Sequence, residues 1–171
     1  MRIIVTGSPG VGKTSVAEQL GKALHHKVLN EKDFAVQRGI GKWDAQEDEL
    51  VIPLERFAKE LKALLTRKKS IIIEGHMLCE LKLNADIIVL VRVHPEILEP
   101  RLRARGYSEP KVQENVFCEA VDYCKKYVLR NYPKEKIIEI DTGRKTIKET
   151  TDNIISEISK RGVNNERKNY T

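Results

Sequence analysis

Apolar positions along the chain switch repeatedly between short continuous runs and helical spacing, and that alternation predicts the architecture. "RIIVTG" at the start reads as a buried strand. "TSVAEQLGKAL" follows, with Val16, Leu20 and Leu24 on one helical face. "KVLN" is a second short strand. Residues 31–52 are polar and read as irregular, with Gly39 and Gly41 interrupting any long helix. Pro53 is placed to begin a helix whose apolar face is Phe57, Leu61, Leu64 and Leu65. "SIIIEGH" and "ADIIVLVRV" are apolar almost throughout, as strands covered on both faces are. "PEILEPRLRARGY" reads as a helix or helix-turn weakened by Pro100. "EPKVQENVFCEAVDYCKKYVLRNY" reads as one longer helix with Val116, Ala120, Tyr123 and Tyr127 toward the core. "KIIEID" is a fifth strand, and "TIKETTDNIISEISKR" a last helix through Ile147, Ile154, Ile155 and Ile158. The closing "GVNNERKNYT", residues 162–171, is polar and expected to fray.

Strands alternating with helices imply an α/β domain, a five-stranded parallel sheet with helices on both faces. The chain has 171 residues, a comfortable length for one domain. No internal repeat or low-complexity linker divides it. No apolar run is long enough to span a bilayer. Residues 1–6 read as the first strand and not as a leader peptide. Cys79, Cys118 and Cys124 show no CxxC spacing and read as free thiols in a reducing, cytoplasmic setting.

The net charge of +6 changes this picture modestly. Basic residues gather at Arg67–Lys69, at Arg101, Arg103 and Arg105, and at Lys125–Lys126. They fit solvated surface and phosphate-binding arginines, or contact with RNA or another anionic partner. The segment "WDAQEDE", Trp43–Glu49, is acidic and reads as a loop surface or a face for something basic.

The candidate chemistry begins at Gly7-Ser8-Pro9-Gly10-Val11-Gly12-Lys13-Thr14, which fits G-x-x-x-x-G-K-[ST] between a buried strand and an amphipathic helix. The glycines let successive amides turn inward toward phosphate oxygens. The following helix adds its positive end. Lys13 is expected on the β- and γ-phosphates of ATP and the Thr14 hydroxyl on Mg²⁺. Glu74 ends the strand "IIIE" and is the acid best placed to hold the same metal. Asp86 opens its strand at the opposite end, and Asp141 closes the last strand on the side suited to the base. His76, two residues past Glu74, is either a surface polar residue or a group that positions a water or orients a phosphate. No N-K-x-D base-reading motif of GTPases is present, and the chain is short for a motor ATPase. A small nucleotide or metabolite kinase fits. Residues 30–56 would supply its acceptor region and Arg101, Arg103 and Arg105 its lid charge.

Four stretches carry a resemblance to a known family. "TGSPGVGKTS" is similar to a TGTPGxGKTT loop and "VLNEKDFA" to YINVGDLA. "IIIEGH" stands where IVDYH is found, and "LRARGYSEPKVQENVFCEA" resembles RLxxRGYxxxKxxxNxxCE. Together they resemble the adenylate kinase isoenzyme 6 family, small proteins with a P-loop NTPase fold of nucleoside monophosphate kinase type. The resemblance implies ATP and AMP as substrates, Mg²⁺ as cofactor and an ATPase activity alongside the kinase. It implies ATP contacts from Gly10, Val11, Gly12, Lys13, Thr14 and Ser15. Asn30 and Asp33 would begin an acceptor region running to about residue 53, and residues 104–114 would form a short lid with Arg105 on ATP. Glu74 and His76 would stand in an acid-x-His motif. Arg144 and Lys145 would cover the adenine. Glu74 departs from the family's Asp, and the longer side chain would shift the metal or its water by about a methylene. Tyr107 and Cys118 are expected to pack, and Asn115 to cap or brace the lid. The family also acts in small ribosomal subunit maturation, so a basic ribosomal protein and rRNA are implied partners.

Overall fold

The computed structural model describes residues 1–46 and 49–162. In chain order it has β1 (Arg2–Thr6), α1 (Lys13–Leu24), β2 (Val28–Asn30) and α2 (Glu31–Gln37). A small antiparallel hairpin follows, β3 (Lys42–Asp44) and β4 (Glu49–Val51), then α3 (Leu54–Arg67) and β5 (Ile71–Glu74). After a 3₁₀ turn at Met77–Glu80 come β6 (Ile87–Arg92), α4 (Pro95–Ala104), α5 (Glu109–Ala120), α6 (Tyr123–Asn131), β7 (Ile137–Asp141) and α7 (Ile147–Lys160). The five long-range strands pair in parallel in the order β2-β5-β1-β6-β7.

The apolar strands are explained by two cores. Side chains alternate across a strand, so Ile3 and Val5 of β1 enter one core with Val16, Leu20, Leu98, Ile154 and Ile158. Ile4 enters the other with Phe34, Phe57, Leu61, Leu65, Leu90 and Val128. A strand between two cores has no polar face to alternate with. None of the described helices is long and apolar enough to cross a membrane.

Two segments depart from the sequence reading. The stretch read as irregular holds α2 and the two hairpin strands β3 and β4. Asn30 caps α2, its Oδ1 accepting from the Lys32 and Asp33 amides at 2.9 and 3.2 Å. The helix is only seven residues long, too short to show a period. The segment after Ser108 is two helices, not one. Asp122 takes a left-handed conformation (φ 60°) and breaks the run. The break rotates the following face, so Cys124 and Val128 enter the core. Tyr123 and Tyr127 are left half-buried against each other, ring centroids 4.9 Å apart, and Ala120 is exposed. Ile147 is likewise exposed at the start of its helix. Pro100 lies inside α4 without ending it. Part of the acidic segment, residues 47–48, and the tail 163–171 lie outside the described residues.

Candidate active site

The phosphate-binding loop joins β1 to α1 at the carboxyl end of the sheet. Gly10 adopts φ +86°, and a Cβ there would stand 2.7 and 2.8 Å from Leu102 and Leu98 of α4. The loop therefore lies flat against the arginine-bearing helix only because residue 10 has no side chain. Gly12 precedes α1 and no side chain among the described residues caps that helix, which leaves its first amides open to an anion. Val11 and Lys13 are buried, and Thr14 and Ser15 are exposed. Lys13 Nζ donates to Ser8 O at 2.8 Å. Burial pushes the pKa of this ammonium down, and the Glu31 and Glu74 carboxylates pull against that.

Across from α1, Glu74 is 2% exposed at the end of β5. Its Oε1 accepts from Thr14 Oγ1 at 3.2 Å and from Asn30 Nδ2 at 2.5 Å. A hydroxyl and a carboxylate oxygen this close form the hard donor pair that suits Mg²⁺. Asp86 is committed elsewhere, to Arg2 at 2.7 Å at the other end of the sheet. Asn30, expected on the acceptor, spends both ends of its amide on α2 and on Glu74. Asp33 is exposed on the first turn of α2. His76 is held by Glu31, a residue the sequence reading did not single out. Glu31 is 2% exposed, and its Oε1 lies 2.7 Å from His76 Nδ1. The same oxygen accepts from the His76 amide at 2.8 Å, and Oε2 accepts from the Met77 amide at 3.1 Å.

The arginines on and just after α4 separate into three situations. Arg101 Nη2 donates to Thr142 O at 3.2 Å, and the Thr142 hydroxyl donates to Val11 O at 2.7 Å, so the loop after β7 is tied to the phosphate loop. Arg103 is engaged by Glu99 and Glu109, both at 2.7 Å. Arg105 is exposed at the turn into α5 and has no ion-pair partner among the described residues. Arg144 and Lys145 are exposed and line a cleft of about 490 Å³ with His94, Glu96, Ile97 and Asp141. Tyr107, expected to pack, is 37% exposed at the same turn as Arg105, and Cys118 is half-buried outside the core. Asn115 braces α5, donating to Lys111 O at 2.7 Å.

A second buried acid, also missed in the sequence, supports the loop from behind. Glu119 of α5 accepts from Ser8 Oγ at 2.6 Å and from Arg92 Nε at 2.5 Å. Arg92 also meets Asp122 at 2.6 Å and Glu139 at 3.3 Å. Burial opposes the Arg92 charge, but Glu119 and Asp122 outweigh it and hold its pKa up. Replacing Glu119 with leucine would leave Arg92 Nε without its buried partner, a loss of about 3 kcal/mol. The expected result is an unfolding midpoint roughly 6–12 °C lower. Thermal and urea unfolding of E119L beside wild type checks it, and a shift under 2 °C would contradict it.

A sequence-family profile described as "AAA domain" matches residues 3–122. Among curated proteins, the "Putative adenylate kinase" of Pyrococcus furiosus is 37% identical over 163 residues, covering 93% of this chain and 84% of that protein. The protein of the same name in Methanocaldococcus jannaschii is 35% identical over 164 residues, covering 92% and 86%. Among solved structures, shikimate kinase from Acinetobacter baumannii in complex with shikimate superposes with a TM-score of 0.69 at 17% identity, covering 95% of each chain. Deoxyadenosine kinase from M. mycoides with bound dATP does so at 0.57 and 15% identity, covering 93% of this chain and all of that one. These two likenesses show a shared fold, the P-loop kinase fold expected from the sequence.

Proposed function

The chain belongs to the family of proteins named "Putative adenylate kinase", kinases of P-loop fold, and we propose that it transfers the γ-phosphoryl group of Mg²⁺-ATP to a nucleoside monophosphate, AMP first among them. The observation that carries this reading is the meeting of Lys13, Thr14 and Glu74 at one mouth, with Thr14 Oγ1 and Glu74 Oε1 at 3.2 Å. Lys13 and the amides of residues 10–15 hold the β- and γ-phosphates. Thr14 and Glu74 hold the metal, and Asn30 keeps the Glu74 carboxylate aimed. A Mg²⁺ ion held by Thr14 and Glu74 would supply positive charge against the phosphates there. Arg105, with no ion-pair partner among the described residues, would swing from the turn onto the transferring group. Arg144 and Lys145 flank the adenine. Asp33 lies toward the acceptor.

The test is ADP formation from Mg²⁺-ATP with and without each nucleoside monophosphate. Strong stimulation by AMP is expected. Indifference to every monophosphate would sink the reading.

A second activity, ATP hydrolysis, is favoured by the histidine held beside the metal-holding acid, since an imidazole nitrogen can accept a hydrogen bond from water and orient it. The narrower resemblance to adenylate kinase isoenzyme 6 supports that activity and a role in small ribosomal subunit maturation in the cytoplasm. The exposed Arg67, Lys68 and Lys69 suit an rRNA surface, and the three free thiols suit a reducing compartment. Recovery of no ribosomal protein or rRNA with the tagged protein would remove that role.

A further inference from the structure

We propose that Glu31 is a positioning residue that locks His76 into one tautomer, and that the locked imidazole orients an O–H nucleophile, water above all, for attack on ATP. The inference rests on the metal-holding role given above to Glu74.

Glu31 is the first residue of α2, where an acid is ordinarily explained by the helix dipole. Its side chain does something else. The first amides of α2 are already taken by Asn30, and the Glu31 carboxylate turns back onto residues 76 and 77 of the facing chain. Burying a carboxylate this deeply is costly, and only good hydrogen bonds offset it. Room for it is made by Gly75. A Cβ at that position would stand 2.0 Å from the Glu31 Cδ and Oε2. The glycine between Glu74 and His76 thus permits the carboxylate to reach the ring.

An ionised carboxylate only accepts, so His76 Nδ1 at 2.7 Å must carry the proton. In that tautomer Nε2 is the nitrogen left bare to accept. The Glu31 side is closed, at 2% exposure, whereas the His76 side chain is 42% exposed. The accepting nitrogen therefore belongs to the open side of the pair. Asn30 and Glu31, consecutive in the chain, brace Glu74 and His76 respectively, which keeps the accepting nitrogen at the same end of the sheet as the metal-holding acid.

A bare Nε2 discriminates between nucleophiles. It accepts a hydrogen bond from water or an alcohol, but it offers nothing to an anionic phosphate oxygen. In hydrolysis the water oxygen bonds to Pγ as the bond from Pγ to the bridging oxygen breaks, and that electron pair leaves on ADP. One water proton stays on the inorganic phosphate and the other passes to solvent. The transition state for this transfer is loose, so aiming the water matters more than activating it.

The test uses the full chain with Glu31→Leu, which removes the acceptor. Gly75→Ala is the second variant, keeping the carboxylate but driving it off the ring. Nitrogen-15 NMR of the histidine side chains reads the tautomer. Steady-state assays read ATP hydrolysis alone and phosphoryl transfer to AMP. Wild-type His76 is expected as the Nδ1–H form, and both variants as a mixture. Hydrolysis should fall about tenfold or more in kcat with KM for ATP within about twofold, and the ratio of transfer to hydrolysis should rise about fivefold. An Nε2–H tautomer in the wild type would overturn the proposal. So would hydrolysis within twofold of wild type in both variants, or transfer and hydrolysis falling in the same proportion. If the wild type phosphorylates no monophosphate, the kinase reading fails on its own, and the tautomer and hydrolysis measurements still decide the role of Glu31.

Discussion

Replacing Lys13 with alanine is expected to lower every ATP-dependent turnover by about a thousandfold or more, equivalent to roughly 4 kcal/mol of transition-state stabilisation. The reason lies in how little else positive reaches the loop from within. The loop offers backbone amides and an uncapped helix start, which are partial charges, whereas Lys13 brings a full one. Its ammonium is buried and rests on a single carbonyl, Ser8 O at 2.8 Å. Burial already disfavours its charge, with Glu31 and Glu74 holding against that. Incoming phosphates would add counter-charge where the burial cost has been met by the fold. The same buried placement predicts that the variant folds. Alanine removes a costly buried charge, and against that gain stand one carbonyl less well paired and the lost attraction to Glu31 and Glu74, so the net change in stability is expected to be small. The check is turnover and thermal unfolding on the same preparation. Near-normal turnover would refute the loop assignment, and a collapse of the unfolding midpoint would show that the loss was of structure.

The parts of this site legible in the sequence were those whose chemistry is local. The glycine pattern, Lys13 and Thr14 lie within one turn, and Glu74 is marked by the buried strand that ends in it. Glu31 and Glu119 were not legible, because their partners are distant. Glu31 meets His76 across 45 positions and Glu119 meets Ser8 across 111. One signal was available for the first. Asn30 followed by Glu31 and Asp33 is the composition of a capped helix start, which would have turned the polar stretch into α2 and faced Glu31 toward β5. For the break at Asp122 the sequence gives less warning. Aspartate tolerates the left-handed region better than most residues, but nothing nearby marks it as the place where α5 gives way to α6. That one residue brought Cys124 and Val128 into the core, left Tyr123 partly buried against it and put Tyr127 outside.

Arg105→Ala is expected to reduce kcat about a hundredfold while changing the dissociation constant for Mg²⁺-ATP less than about threefold. Arg101, Arg103 and Arg105 carry the same charge within five residues, only Arg105 is singled out by the family resemblance, and the fold gives each a different setting. Arg101 is spent on Thr142 O, and Arg103 is clamped between Glu99 and Glu109. Neither can move to a ligand without breaking those bonds. Arg105 is exposed at the turn, next to Gly106 in a left-handed conformation (φ +76°) that lets the chain reverse into α5. A free guanidinium on a turn gives little in the ground state, where the phosphates are already neutralised by the loop. On the proposed reading it would act when charge redistributes over the γ-phosphoryl oxygens, and an interaction made mainly then appears in kcat and not in binding. Arg103→Ala is the matching control, since it removes the clamp and not the free charge. It should cost well under a tenfold loss of kcat. Equal effects from the two substitutions would assign the lid's contribution to its fold, and a loss of ATP affinity at unchanged kcat in Arg105→Ala would place that arginine on the ground-state nucleotide.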